Sequence, residues 1–140
     1  MSVLDELYRE TLMRHYKHPH HYGELEGATL EVQGDNPSCG DRVRLMLRLE
    51  GDRVAEVRFV GQGCAISTAS ASMMTDVLQG KTVSEALRLA RQFKAVVVDG
   101  TPPAAELGEL GALAGVHKLP ARVKCATLVW NALEEALSAR

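Results

Sequence analysis

The chain has 140 residues, 46% of them hydrophobic and 24% charged, with only 4% aromatic side chains and a formal net charge of −2. That length suits one domain, residues 1–140, whose core is filled by aliphatic side chains. The near-neutral balance leaves no electrostatic footprint for DNA or RNA and none for an anionic membrane surface, so neither partner is expected.

The N-terminal stretch MSVLDELYRE is charged and amphipathic rather than signal-like, which points to a cytoplasmic protein. Residues 2–17 read as a helix, with Leu4, Leu7, Tyr8, Leu12 and Tyr16 near helical spacing and Pro19 ending the pattern. HYKHPHHYG follows, bringing His15, His18, His20 and His21. Their spacing matches no zinc-site pattern, so they read as a solvated helix end and loop.

A β-meander comes next. Residues 27–35 read as a first strand. In VRLMLRLEG, Val43, Leu45, Leu47 and Leu49 alternate with Arg44, Met46, Arg48 and Glu50, the period of a strand with one buried face. Gly51-Asp52 makes a turn, and Ala55, Val57 and Phe59 continue the alternation on a third strand that pairs antiparallel with the second.

After Gly63 the period changes. Ile66, Ala69, Met73 and Val77 mark a helix closed by Gly80. Thr82-Val-Ser-Glu85 is a capping-box signature for a second helix, striped by Ala86, Leu87, Leu89, Ala90 and Phe93. Residues 98–118, punctuated by glycines and prolines, read as loop. A last helix begins near Pro120. The expected class is α+β: a small three-stranded antiparallel sheet with an N-terminal helix and several C-terminal helices packed on it. The stretch from Val60 to Thr75 has no charge, but its glycines, serines and threonines make it a poor bilayer span.

The three cysteines, an odd number, argue against a secreted disulfide framework. Cys39 lies in NPSCGD before the second strand, Cys64 between the third strand and a helix, and Cys125 in the first turn or two of the last helix. All sit at element ends, where a thiol that only fills core is unexpected. Early helix amides and the neighbouring Arg122 and Lys124 favour the thiolate of Cys125. Asp41, two residues after Cys39, points to the same face of an extended segment. Alone, that pair reads rather as a half-buried thiol beside a turn-stabilising aspartate; three cysteines with the aspartate could fill a tetrahedral metal site. The gaps of 25 and 61 residues between cysteines resemble no zinc finger, so a fold must bring the ligands together.

Four stretches carry a family resemblance: YRETLMRHYKHPHHYG (8–23), NPSCGD (36–41), GCAIS with SASMM (63–74) and RVKCATLVW (122–130). With them the chain resembles the U-type iron–sulfur cluster assembly proteins, the family of IscU, SufU and the N-terminal domain of NifU. The resemblance implies that Cys39, Asp41, Cys64 and Cys125 converge at one exposed end and hold zinc, iron or a [2Fe-2S] cluster. It implies a pyridoxal-phosphate cysteine desulfurase as sulfur donor and iron–sulfur acceptor or carrier proteins downstream. IscU scaffolds have histidine directly before the last cysteine, where this chain has Lys124. That departure, with the extra segment near 98–118, brings the sequence closer to SufU, whose members resemble zinc-dependent sulfurtransferases.

The donor set bears on mechanism. Three thiolates and a carboxylate around a 2+ ion carry a formal charge of −2, which eases displacement of one ligand and gives Arg122 and Lys124 a neutralising role beside the site. Cys39, followed by Gly40, is the first candidate to accept sulfur, with Cys125 its rival. Two other classes compete: a structural zinc-binding module, and a cysteine hydrolase with His117 as base. A disulfide oxidoreductase is disfavoured by the absence of CxxC.

Overall fold

The computed structural model describes residues 3–138, with side chains from residue 9 onward. The elements run α1 (Val3–Lys17), β1 (Leu30–Asn36), β2 (Asp41–Glu50), β3 (Arg53–Gln62), α2 (Ala65–Leu78), α3 (Val83–Asp99), a 3₁₀ segment (Ala105–Lys118) and α4 (Pro120–Ser138). This is the expected α+β arrangement. Of the stripe read on α1, the side chains of Leu4, Leu7 and Tyr8 lie outside the described residues. Leu12 packs on the core, whereas Tyr16 is exposed.

The strands form one antiparallel sheet in the order β1-β2-β3. Leu45 faces Phe59 and Leu47 faces Val57 across β2 and β3, so these apolar residues share one buried face; beyond a register shift at Arg48/Leu49, Val54 rather than Ala55 is the buried residue of β3. The other face carries Arg44, Arg48, Glu56 and Arg58, linked by ion pairs that include Arg48–Glu56 and Arg44–Glu31. Met46 departs from the alternation: it lies on this polar face yet is buried, in contact with the Arg44 guanidinium. Long arginine stems cover apolar surface in this way.

Helices α2 and α4 pack on the apolar side of the sheet, and α3 packs on α4. Phe93 of α3 stacks on Trp130 of α4 with ring centroids 5.1 Å apart, and the Trp130 indole N–H donates to Ser70 Oγ on α2 at 3.2 Å. Thr82 and Glu85 form both hydrogen bonds of the capping box that opens α3. The helix runs past the stripe read from sequence and ends at Gly100, which adopts the left-handed conformation at φ 76.

Of residues 98–118, only 100–104 are loop. Val98 and Asp99 finish α3, and Ala105–Lys118 forms 3₁₀ turns interrupted at Gly108. Leu107, Leu110, Leu113 and Val116 are its buried residues. They recur every third position, the pitch of a 3₁₀ helix, and a search for the 3.6-residue period passes over them.

Candidate metal centre

The β1–β2 turn, the start of α2 and the second turn of α4 meet at one pole. Asn36 closes β1 opposite Asp41, the first residue of β2. Between them lies the exposed Cys39, its amide bonded to the Asn36 carbonyl at 3.2 Å. Gly40 follows at φ 71, a backbone that L side chains rarely adopt. Asp41 is only 1% exposed. Cys64 is the N-cap of α2: its sulfur accepts the Ser67 N–H at 3.5 Å. Cys125 is fully buried on α4.

The tertiary structure joins what the sequence separates. Cys125 Sγ lies 3.5 Å from Cys39 Sγ, and ligand atoms of Cys39, Asp41 and Cys125 all fall within 4.8 Å of one another. Cys64 stands outside this triad but also bears on the Cys125 thiol. Asp41 Oδ1 accepts the Cys64 amide at 2.9 Å and the Ser67 hydroxyl at 3.3 Å. Its other oxygen, Oδ2, is buried without a hydrogen-bond partner. A buried carboxylate oxygen with no donor is costly unless a cation or proton satisfies it. Thiolate sulfur and carboxylate oxygen are both zinc and iron ligands, so the residues present fit a bound ion. A Cβ at Gly63 would stand 2.4 Å from Ser67 Oγ and 2.7 Å from Asp41 Oδ1, so any larger residue there would displace these side chains.

Burial pushes the Cys125 thiol well above its ordinary pKa, and contacts with Cys39, Asp41 and Cys64 add to that. This corrects the expectation that helix position and nearby cations favour its thiolate: in the ion-free chain desolvation outweighs both. Access differs as well. Only Cys39 is exposed, Cys64 is partly covered and Cys125 is sealed. Arg122 faces the site. Its pKa is raised by the nearby sulfurs, Cys125 first and then Cys64 and Cys39. Lys124 is exposed, and among the described residues no hydrogen bond ties it to a ligand.

Two supporting residues escape sequence reading. Asn36 is buried and directs its side-chain amide at Cys125 Sγ, 3.9 Å away; the Asn-Pro pair signals only a turn. Ser67, three residues after Cys64, anchors Asp41; nothing in GCAIS distinguishes it from an ordinary first-turn serine. His117 bonds the Ala114 carbonyl through Nδ1 at 2.8 Å and touches none of the cysteines among its described hydrogen bonds, so it supplies no hydrolase base.

The family described as the NifU-like N terminal domain matches residues 7–139. The chain belongs to this family. It is 49% identical, over 98% of its own length and 86% of the relative's, to the iron–sulfur cluster assembly scaffold protein IscU of Streptococcus pyogenes serotype M1. It is 46% identical, over 96% of its length and 92% of the relative's, to the zinc-dependent sulfurtransferase SufU of Bacillus subtilis strain 168. Among solved structures, a protein of Fervidobacterium islandicum AW-1, suggested to be a SUF-system cluster assembly scaffold, superposes with a TM-score of 0.85. It is 36% identical and shares 91% of this chain and 94% of its own. The NifU-like fold thus accounts for the antiparallel sheet and its flanking helices. Among the described residues no helix is long and apolar enough to cross a membrane.

Proposed function

We propose that this protein receives sulfur from a pyridoxal-phosphate cysteine desulfurase and supports iron–sulfur cluster assembly and transfer at Cys39, Asp41, Cys64 and Cys125. The convergence of the Cys39, Asp41 and Cys125 ligand atoms around the unpartnered Asp41 Oδ2 carries this reading. Zinc or iron bound there would keep the thiols deprotonated; an assembled [2Fe-2S] cluster is cargo for acceptor or carrier proteins. We take residues 1–140 as a single cytoplasmic domain of this kind, consistent with the match over 7–139.

Sulfur uptake follows from the unequal exposure of the thiols. The Cys39 thiolate attacks the outer sulfur of the desulfurase persulfide. The persulfide S–S bond breaks, its electron pair leaves with the desulfurase cysteine as a thiolate, and Cys39 becomes the persulfide. Burial withholds Cys125 from an incoming protein. Arg122, facing all three sulfurs, neutralises charge that builds up there.

A second reading, a zinc-dependent sulfurtransferase rather than a scaffold, is favoured by the 46% identical relative of that description and by Lys124 before the last cysteine. Anaerobic incubation with the cognate desulfurase, cysteine and ferrous iron separates the two. Cluster absorption on this chain supports the scaffold. Desulfurase stimulation with zinc retained and no cluster supports the sulfurtransferase. Neither stimulation nor cluster rejects both and leaves a structural zinc module. Mass-spectrometric mapping after desulfurase turnover tests the acceptor: Cys39→Ser is expected to abolish the persulfide, and Cys125→Ser to leave it on Cys39.

A further inference from the structure

The histidine-rich segment takes no part in the cysteine site, and it is not the solvated loop its composition suggests. His15 is completely buried. Its Nδ1 lies 2.6 Å from Ser72 Oγ on α2 and its Nε2 lies 2.9 Å from Glu109 Oε1 on the 3₁₀ segment. His20 approaches the same place from the loop. Its ring centroid is 4.5 Å from that of His15, and its Nδ1 is 2.7 Å from Asp76 Oδ2.

We propose that His15, His20 and Asp76 form a second metal site, separate from the cysteines, for a divalent transition-metal ion of the zinc or nickel class. One ligand atom from each of the three lies within 4.8 Å of the others. Two imidazole nitrogens and one carboxylate oxygen suit these ions, and three protein ligands leave a position for water. The surroundings resemble a supported site. A ligating histidine commonly gives its other ring N–H to a carboxylate, and Glu109, itself ion-paired with Arg14, stands ready for His15. His21, at φ 53, bonds Thr75 Oγ1 at 2.9 Å and sits 3.5 Å from Asp76 Oδ1, holding the carboxylate from its far side.

Entry of the ion is balanced by simple exchanges. The hydrogen bond joining His20 to Asp76 is replaced by ligation, and any proton the pair carries passes to water. Ser72 keeps a partner when His15 turns to the ion, because its hydroxyl oxygen also accepts the His20 amide at 2.7 Å. Side-chain exposures of 42% at His20 and 33% at Asp76 give the ion a route in. Ser72 lies eight residues beyond Cys64, about 12 Å along a helix, so the two sites do not share ligands.

Equilibrium dialysis of the untagged full chain against low-micromolar free zinc, with elemental analysis, tests this. Two zinc equivalents are expected in the wild type and one in both His20→Gln and Asp76→Asn, whose exposed side chains spare the fold. Cys39→Ser is expected to keep the histidine-site equivalent. Nickel added to the chain in place of zinc is expected to broaden the imidazole proton resonances of His15 and His20. A single equivalent in the wild type, or a second equivalent that survives both His20→Gln and Asp76→Asn, would overturn the proposal and leave the cluster as a hydrogen-bonded clasp.

Discussion

Asp41 divides its carboxylate between two tasks. Oδ1 is held by the Cys64 amide and the Ser67 hydroxyl, which fixes the group to the first turn of α2, while Oδ2 stays buried and unpartnered. Asp41→Asn retains an acceptor for the α2 contacts but replaces the anionic ligand by a neutral amide. Zinc affinity is expected to fall by about 100-fold or more, since changes to groups that merely support a ligand already cost about 10–100-fold, measured by chelator competition while circular dichroism stays unchanged. The neighbouring sulfurs show how local environment divides chemically equal groups: Cys39 is open to solvent, whereas Cys125 is sealed from it.

At the scale of elements, α3 and the 3₁₀ segment depend on different physics. The Glu85 carboxylate is held below its ordinary range by the Thr82 backbone N–H first and then by the Thr82 hydroxyl. A lowered folded-state value means that the stabilisation is present above the unfolded value of about 4.3 and is lost as pH falls through the folded one. Glu85→Gln is therefore expected to lower stability at neutral pH, with the difference from wild type shrinking as pH falls below the unfolded value; urea denaturation as a function of pH measures it. The 3₁₀ segment has little intrinsic stability and is held by its buried stripe instead. Leu110→Ala, at a fully buried position, is expected to cost about 2–5 kcal/mol in denaturant unfolding. It should also raise hydrogen exchange across Ala105–Lys118 relative to α2.

Over the whole molecule, the proposed metal site joins pieces that the chain alone keeps far apart: the β1–β2 turn, the start of α2 and α4. An ion bound there stabilises the folded state by mass action, by about 2.7 kcal/mol when its concentration is 100 times Kd. For a chain of this size that corresponds to roughly 5–10 °C in Tm. Stripping zinc with a strong chelator is expected to lower Tm by that amount, and Asp41→Asn to remove most of the chelator effect. Scanning calorimetry of treated and untreated samples checks both.

Much of this was written along the chain. Period-two alternation gives β2 and β3 their buried face, Thr82 and Glu85 announce α3, and the turn and helix-end settings of Cys39, Asp41, Cys64 and Cys125 mark them as candidate ligands, because local spacing alone determines such features. The 3₁₀ stripe at Leu107, Leu110, Leu113 and Val116 is equally local, but its three-residue pitch lies outside the usual helical period. Other features were decided only by tertiary packing. Burial of Cys125 raises its pKa, Ser67 and Asn36 acquire their roles from groups on other elements, and His15 leaves solvent because α2 and the 3₁₀ segment close over it. A sequence orders residues along a line, whereas desolvation and ligand convergence depend on which elements fold against one another.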